Sequence, residues 1–302
     1  MELNFHTLDV FTTDRFGGNP LAAVLGSDDL STEQMQVIAR EFNLAETIFV
    51  RKPKDPANTA SVRIFFPTDE ISFAGHPTIG CAILLAEKLK GVDEPFETEI
   101  LLEEVAGLVS VKVRKDRGAT WAQFTAPIVP YSVPRVLPSV HEVAIALDLA
   151  LSDLCPNGMP LGLHEGGPRF LYLPITSREA LARARPQEPQ WSNILNALGA
   201  VGGYLYARGG QTPSTDFATR MFNPSGEGIE DPATGSAAAL FASQLHKVTS
   251  LKDGTHIFRL EQGYEMGRPS DIQMEADVTG GKLVAVRVAG SAVRVMEGQL
   301  SL

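Results

Sequence analysis

Two stretches of the chain share one pattern: SVRIFFPTDEISFAGHPTIGCA at residues 61–82 and FATRMFNPSGEGIEDPATGSAAA at residues 217–239. In each, a β-rich run precedes a polar turn, and a run of small and apolar residues then predicts a helix. Arg63 and Arg220 occupy the same position in the two stretches and are 157 residues apart. Coincidence between two common strand–turn–helix units is the alternative. We interpret the match as an internal repeat of two similar halves, because this spacing far exceeds any solenoid period.

The match extends on both sides of these stretches. Residues 45–51 correspond to residues 202–208 at the same offset, and Pro77 corresponds to Pro232 at an offset of 155 residues. The change of offset predicts a two-residue deletion in the second half. Three matching blocks in one order support the repeat more strongly than any one of them.

Each half is predicted to contain one buried helix. Pro77 and Pro232 stand where the first helical residue is expected, a position at which proline is favoured. We therefore expect helices over residues 78–88 and 233–245. Their faces are rich in Ala, Gly, Ile and Leu on all sides, which is typical of a helix surrounded by protein.

Composition excludes several functional classes. The 302 residues include 26 basic and 36 acidic side chains, a net charge of −10, which argues against nucleic acid and anionic membrane surfaces as partners. No apolar run could span a bilayer and no leader pattern opens the chain, so we expect a cytoplasmic protein. Cys81 and Cys155 are too few for a disulfide framework or a four-ligand zinc site. Glycine-rich nucleotide motifs and paired histidines are missing too, so we expect no cofactor and no metal.

The starts of the two helices are the candidate site. They are expected to face a shared cleft, where free N–H groups and the positive dipole ends would hold a carboxylate. The titratable residues there differ between the halves: His76 precedes one helix, Asp231 the other, and Glu46 corresponds to Gly203. Such asymmetry is expected of an acid–base site on a duplicated scaffold. Alternatively, Asp231 is only a helix N-cap, His76 only ends a strand, and Glu46 is an exposed residue.

Four segments, in order, resemble the signatures of the PhzF phenazine-biosynthesis-like family. They are residues 16–24, 43–49, 73–78 and 230–237. The resemblance covers nearly the whole chain and implies the α+β fold of diaminopimelate epimerase. That fold has two pseudo-symmetric lobes, each a curled, mostly antiparallel sheet around a central helix, and the family commonly forms homodimers.

The lobes are expected at residues 1–126 and 127–290. Four prolines mark the predicted linker between them: Pro127, Pro130, Pro134 and Pro138. In the fold that the resemblance implies, the C-terminal strand often returns to the first lobe, which suits residues 291–302.

The resemblance also implies a chemistry. The family member with known activity isomerises trans-2,3-dihydro-3-hydroxyanthranilate without a cofactor. By resemblance, Glu46 is the general acid/base that removes a proton from one carbon and returns it to another, and His76 and Asp231 bind and polarise the substrate. The residues implied in binding its carboxylate are Gly75, Gly235 and Ser236.

Epimerases and racemases of the wider fold use two cysteines, one in each lobe. Gly75 and Asp231 are taken to occupy those places, and neither Cys81 nor Cys155 matches, so a two-thiol racemase is disfavoured. Residues 75–77 read Gly-His-Pro, where the phenazine enzymes are expected to have Gly-His-Ala, which leaves the substrate open. We expect a cofactor-independent isomerase of a small carboxylated substrate. An amino-acid-type epimerase and a non-catalytic metabolite-binding protein are the alternatives.

Overall fold

The computed structural model describes residues 1–116, 118–224 and 230–302. The chain divides into two compact units, unit 1 with residues 1–125 and 289–302 and unit 2 with residues 126–288. The elements that begin in unit 1 are, in chain order, β1 (Glu2–Val10), β2 (Asn19–Leu25), α1 (Thr32–Phe42), β3 (Glu46–Arg51), β4 (Ala60–Phe65), β5 (Glu70–Ile71), α2 (Gly75–Lys90), β6 (Phe96–Glu104), β7 (Gly107–Lys115) and β8 (Thr120–Thr125).

The elements that begin in unit 2 are β9 (Tyr131–Ser132), α3 (Val140–Leu147), β10 (Gly162–Glu165), β11 (Arg169–Pro174), α4 (Arg178–Arg183), α5 (Gln190–Leu198), β12 (Gly202–Arg208), β13 (Phe217–Phe222), β14 (Glu230–Asp231), α6 (Gly235–Thr249), β15 (Gly254–Gln262), β16 (Ser270–Thr279) and β17 (Lys282–Ser301). From Ala289 onward β17 belongs to unit 1, where it pairs antiparallel with β1.

Both units pair their strands in one order. In unit 1, β1–β2 is antiparallel, β2–β3 parallel, β3–β4 antiparallel, β4–β6 parallel, and β6–β7 and β7–β8 antiparallel. In unit 2, β10–β11 is antiparallel, β11–β12 parallel, β12–β13 antiparallel, β13–β15 parallel and β15–β16 antiparallel. The shared order of parallel and antiparallel pairs makes each unit a mostly antiparallel sheet with the same topology.

One helix lies at the centre of each unit. Helix α2 contacts β1, β2, β3, β6, β7 and β8, and α6 contacts β9, β10, β11 and β16. Strands far apart in the pairing order touch one helix, so each sheet curls around it. Both helices are buried over most of their length, as their composition predicts. Within the described ranges, no helix has the length and apolarity needed to cross a membrane.

Neither α2 nor α6 begins at the proline predicted to be its first residue. Pro77 is the third residue of α2, whose N-cap is Ala74, and it is tolerated because N–H groups of a first turn have no partner within the helix. Pro232 precedes α6, whose N-cap is Thr234. The match of Pro77 with Pro232 is therefore wrong. The connection from β13 to β14, residues 223–229, is three residues longer than residues 66–69 between β4 and β5, so the predicted two-residue deletion is wrong as well.

Strand register aligns the two units residue by residue. Arg63 and Arg220 pair with corresponding residues of β3 and β12 and are equivalent, as predicted. Gly203 pairs with the last residue of β13 as Thr47 pairs with the last residue of β4, so Gly203 corresponds to Thr47. Glu46 therefore corresponds to Gly202, and the predicted match of Glu46 with Gly203 is wrong by one residue. The cause is that, between aligned positions, the path from β12 to β13 is one residue longer than the path from β3 to β4.

Two shorter helices begin with a capping box. The patterns Ser31-Thr-Glu-Gln34 and Ser139-Val-His-Glu142 predict such boxes, and both are confirmed. Ser31 Oγ accepts a hydrogen bond from the Gln34 N–H at 3.2 Å before α1, and Ser139 Oγ accepts one from the Glu142 N–H at 3.2 Å before α3. In each helix the side chain of the third residue bonds back to the N-cap backbone. The apolar face of α1, including Met35, packs on β3 and β4.

Candidate active site

Unit 1 brings Glu46 and His76 together. Glu46 opens β3, where it pairs with Leu21 of the parallel strand β2, and His76 is the second residue of α2. Both are buried, with 7% and 3% of their surface exposed. Glu46 Oε2 lies 3.0 Å from His76 Nε2. The alternatives of an exposed glutamate and of a histidine that ends a strand are therefore wrong.

The imidazole of His76 is neutral at ordinary pH. Burial is the larger influence on its pKa, and the backbone of Pro20 opposes burial only in part. Burial lowers the pKa of His76 to about 3, which keeps the ring neutral near pH 7.

The contact between Glu46 and His76 suits proton transfer. A carboxyl oxygen and a ring nitrogen lie 3.0 Å apart in a buried place. A carboxyl group beside an imidazole can act in turn as acid and base, which is what the predicted role of Glu46 needs.

In unit 2, Asp231 lies in β14 and is not the N-cap of α6. Thr234 Oγ1 donates to Asp231 Oδ2 at 2.5 Å. Gln262 Nε2 donates to the Asp231 carbonyl at 2.8 Å and to Thr234 Oγ1 at 3.0 Å, and the Thr234 N–H donates to Gln262 Oε1 at 3.2 Å. Sequence analysis missed both partners. The hydroxyl of Thr234 was visible inside the segment 230–237, whereas nothing in the sequence singles out Gln262.

The carbonyl of Pro232, the residue after Asp231, is contacted by β16 and by the turn before it. Ser270 Oγ donates to the Pro232 carbonyl at 2.9 Å. Gly263 has φ +76°, and a Cβ there would lie 2.6 Å from the same carbonyl oxygen. Only glycine fits this close approach, which fixes the path of the chain next to Asp231.

The predicted carboxylate-binding residues lie at the two helix starts. Gly75 and Gly235 are the first residues of α2 and α6, and Ser236 holds the position in α6 that His76 holds in α2. Neither N-cap side chain hydrogen-bonds to its helix, and neither first turn contains an acidic residue. Helices α1 and α3 are capped by side chains, whereas α2 and α6 are not. The N–H groups of the first turns of α2 and α6 therefore lack a side-chain cap, which suits binding of an anion.

The thiols do not resemble a pair of proton-transfer groups. Cys81 is buried within α2 and Cys155 is partly buried, both are free, and burial raises the pKa of each thiol. Gly75 and Asp231 are not at equivalent positions of the two units, because strand pairing makes Asp231 correspond to Ile71. In the described part of the chain, no three His, Cys, Asp or Glu side chains are grouped to hold a metal ion.

The phenazine biosynthesis-like protein family, PhzC-PhzF, matches residues 8–298. The chain belongs to this family. It is 39% identical to an uncharacterized isomerase of Mesorhizobium japonicum over 98% of both chains. It is 31% identical to the trans-2,3-dihydro-3-hydroxyanthranilate isomerase of Pseudomonas chlororaphis, again over 98% of both. The crystal structure of a PhzF-family phenazine biosynthesis protein from Bacillus anthracis matches with a TM-score of 0.89 at 24% identity and covers 100% of both chains.

Three predictions are thereby confirmed. They are the family, the α+β fold with epimerase-like lobes, and the isomerase class of enzyme. A non-catalytic binding protein is disfavoured, since the full-length relatives are named isomerases. The lobe boundaries, the roles of the site residues and the homodimer stay predictions.

Proposed function

We propose that this isomerase moves a proton between two carbon atoms of a small carboxylated substrate, with Glu46 carrying the proton and without a cofactor. The observation that supports this most directly is the buried contact of 3.0 Å between Glu46 Oε2 and His76 Nε2. A carboxyl group paired in this way can accept a proton and give it back without exchanging it with bulk water.

The reaction conserves every atom. The resting proton of Glu46 passes to His76 Nε2 when the negative group of the substrate binds and stabilises the imidazolium. The Glu46 carboxylate then takes a proton from one substrate carbon, and the electron pair of the broken C–H bond shifts into the substrate's double-bond system. Glu46 next returns that proton to a second carbon, and His76 returns the first proton to Glu46. An isomer is formed, and the enzyme is unchanged.

The helix starts provide the binding groups in this proposal. The predicted groups for binding a carboxylate are the backbone N–H groups of Gly75 and Gly235 and the hydroxyl of Ser236. Asp231, fixed by Thr234, accepts a hydrogen bond from an amino or hydroxyl group of the substrate. The first substrate to test is trans-2,3-dihydro-3-hydroxyanthranilate, which gives the relative from Pseudomonas chlororaphis its name.

The test compares Glu46→Gln with Glu41→Gln, a change of the same chemistry on the exposed side of α1. Turnover of trans-2,3-dihydro-3-hydroxyanthranilate and a panel of cyclic amino carboxylates is followed by NMR in deuterated water. We expect Glu46→Gln to lower kcat by about 10²- to 10⁴-fold, and Glu41→Gln to match the wild type. Wild-type turnover by Glu46→Gln would refute the assignment. Deuterium at a stereocentre with unmoved double bonds would identify an epimerase instead.

The proposal includes the quaternary structure and location that the sequence and the resemblance predict. A homodimer is tested by sedimentation of the purified 32.5 kDa chain, a species of twice that mass being expected. The cytoplasmic location is supported by two free cysteines, which suit a reducing compartment.

A further inference from the structure

A second buried carboxyl lies next to α2 and takes no part in the proposed reaction. Glu104, the last residue of β6, has only 8% of its surface exposed. Its Oε1 lies 2.7 Å from Thr78 Oγ1 in the first turn of α2. Its Oε2 is buried and has no hydrogen-bond partner among the residues that the structure describes. A carboxylate in this place would leave negative charge on an oxygen that nothing solvates, which is costly.

Thr78 Oγ1 has one hydrogen for two acceptors, so both of its contacts are hydrogen bonds only if Glu104 is protonated. Thr78 Oγ1 also lies 2.7 Å from the carbonyl oxygen of Ala74, which can only accept a hydrogen bond. The hydroxyl has a single hydrogen, so if it is donated to Ala74, the contact with Glu104 needs a hydrogen from the carboxyl. The chain of donors then runs from Glu104 to Thr78 to Ala74.

The surroundings of Glu104 agree with a neutral acid. Burial raises the pKa of Glu104 to about 8, and the Thr78 hydroxyl opposes this only in part. The titratable group that faces it from α2 is the Cys81 thiol, whose pKa burial and Glu104 raise, so this neighbour is neutral. Across the strand pair, β7 places Gly107 opposite Glu104.

The internal repeat supplies an independent counterpart in unit 2. Strand pairing aligns β6 with β15 and makes Glu104 equivalent to Gln262. The preceding residues, Glu103 and Glu261, confirm this alignment because they do the same work. Glu103 accepts hydrogen bonds from backbone N–H groups of the loop between β3 and β4, and Glu261 accepts them from the equivalent loop between β12 and β13.

Gln262 makes the same chain of donors as Glu104. Its amide Nε2 donates to Thr234 Oγ1 at 3.0 Å, and Thr234 donates to Asp231 at 2.5 Å. In both units, a donor at the end of the long strand supplies a threonine hydroxyl. That hydroxyl donates to the carbonyl of Ala74, the N-cap of α2, in unit 1 and to the carboxylate of Asp231, in β14, in unit 2. An amide always has this donor, whereas a carboxyl has it only when protonated.

We propose that Glu104 is a positioning residue for the start of α2, and that its carboxyl does there what the amide of Gln262 does at the start of α6. Through Thr78 it holds the carbonyl of Ala74, two residues before His76. Loss of its proton puts two acceptors against each other and displaces this turn. This inference rests on the proposed role of His76, and it makes the activity fall when alkaline pH ionises Glu104.

The test compares Glu104→Gln, which keeps the donor at every pH, with Glu104→Leu, which removes it, and with Glu103→Gln as the matched control. At pH 7 we expect kcat of Glu104→Gln within about threefold of the wild type and kcat of Glu104→Leu about 10- to 100-fold lower, because small displacements of a catalytic group are costly. The wild type and Glu103→Gln lose activity above about pH 8, and Glu104→Gln retains it.

Thermal unfolding between pH 5 and pH 9 is measured on the same proteins. The fall of Tm with rising pH that we expect in the wild type should be smaller in Glu104→Gln, and this readout tests Glu104 whether or not Glu46 carries the proton. The proposal is overturned if Glu104→Gln is as impaired at pH 7 as Glu104→Leu, or if it keeps the wild-type pH dependence of both activity and Tm.

Discussion

The same ion pair occurs at equivalent positions of the two units but at different depths, which allows one energetic comparison within a single chain. Arg220 binds Glu230 through Nε and Nη2, both at 2.7 Å. Arg63 binds Glu70 through the same two atoms at 2.7 and 2.6 Å. The Arg220 side chain is only 3% exposed, against 20% for Arg63. We expect Arg220→Met to destabilise the protein far more than Arg63→Met.

The expected magnitudes follow from burial and from the remaining bonds. Arg220 Nη1 also donates to the carbonyls of Leu181 and Ala184 at the end of α4, each at 2.9 Å. Methionine would leave Glu230 without its cation and those carbonyls without a donor, a loss of about 3–5 kcal/mol. The Arg63 pair is partly solvated, and its loss is expected to cost about 1 kcal/mol or less.

Equilibrium urea unfolding, followed by circular dichroism, measures both losses. A double variant, Arg220→Met with Glu230→Leu, is the control, because removing both charges from a buried site is expected to restore part of the stability. Since Glu230 directly precedes Asp231, Arg220→Met is also expected to lower kcat. A cost of Arg220→Met no greater than that of Arg63→Met would refute the reasoning from burial.

Two further predictions concern the turn before β16 and the buried acid. Gly263→Ala is expected to destabilise the protein by more than about 2 kcal/mol and to lower kcat, because its Cβ would lie 2.6 Å from the Pro232 carbonyl at φ +76°. Gly267→Ala, at φ +69° with nothing within 4 Å, should cost about 1 kcal/mol; equal losses in urea unfolding would contradict this. Glu104 binds a proton in the folded state up to about pH 8 but in the unfolded state only up to its ordinary value of 4.5. The free energy of unfolding should therefore fall between pH 4.5 and pH 8 by about 1.4 kcal/mol per pH unit more in the wild type than in Glu104→Gln, and parallel slopes would contradict the shift.

The sequence predicts the architecture well because the repeat rests on backbone patterns. The β-rich run that opens the second stretch, residues 217–222, is strand β13. The run that opens the first stretch, residues 61–66, begins and ends one residue after strand β4, Ala60–Phe65. The capping boxes at Ser31 and Ser139 are confirmed because their signal is local and needs no distant partner.

The predictions that failed depend on loop lengths and on distant side chains. Matching Pro77 with Pro232 treats two prolines as one signal, although one lies within a helix and the other before it. The pairing of the strands shows the longer connection between β13 and β14, which the comparison of the two sequence stretches does not show. Gln262 and Glu104 end ordinary strands, and only the fold shows that each supplies a donor to a threonine hydroxyl near the helix start.

The repeat also explains why a single acid carries the proposed reaction. An exchange between two equivalent bases would need a titratable side chain at the position of Glu46 in both units. Unit 2 has Gly202 there, and a Cβ would lie 2.8 Å from Met221 Sδ and 3.1 Å from the Phe222 carbonyl oxygen, so a larger side chain would displace its neighbours. Unit 2 thus has no acid at this position, and in the proposed mechanism Glu46 alone takes the proton and returns it. A single base that does both favours moving a proton between carbons of one substrate face over inverting a stereocentre.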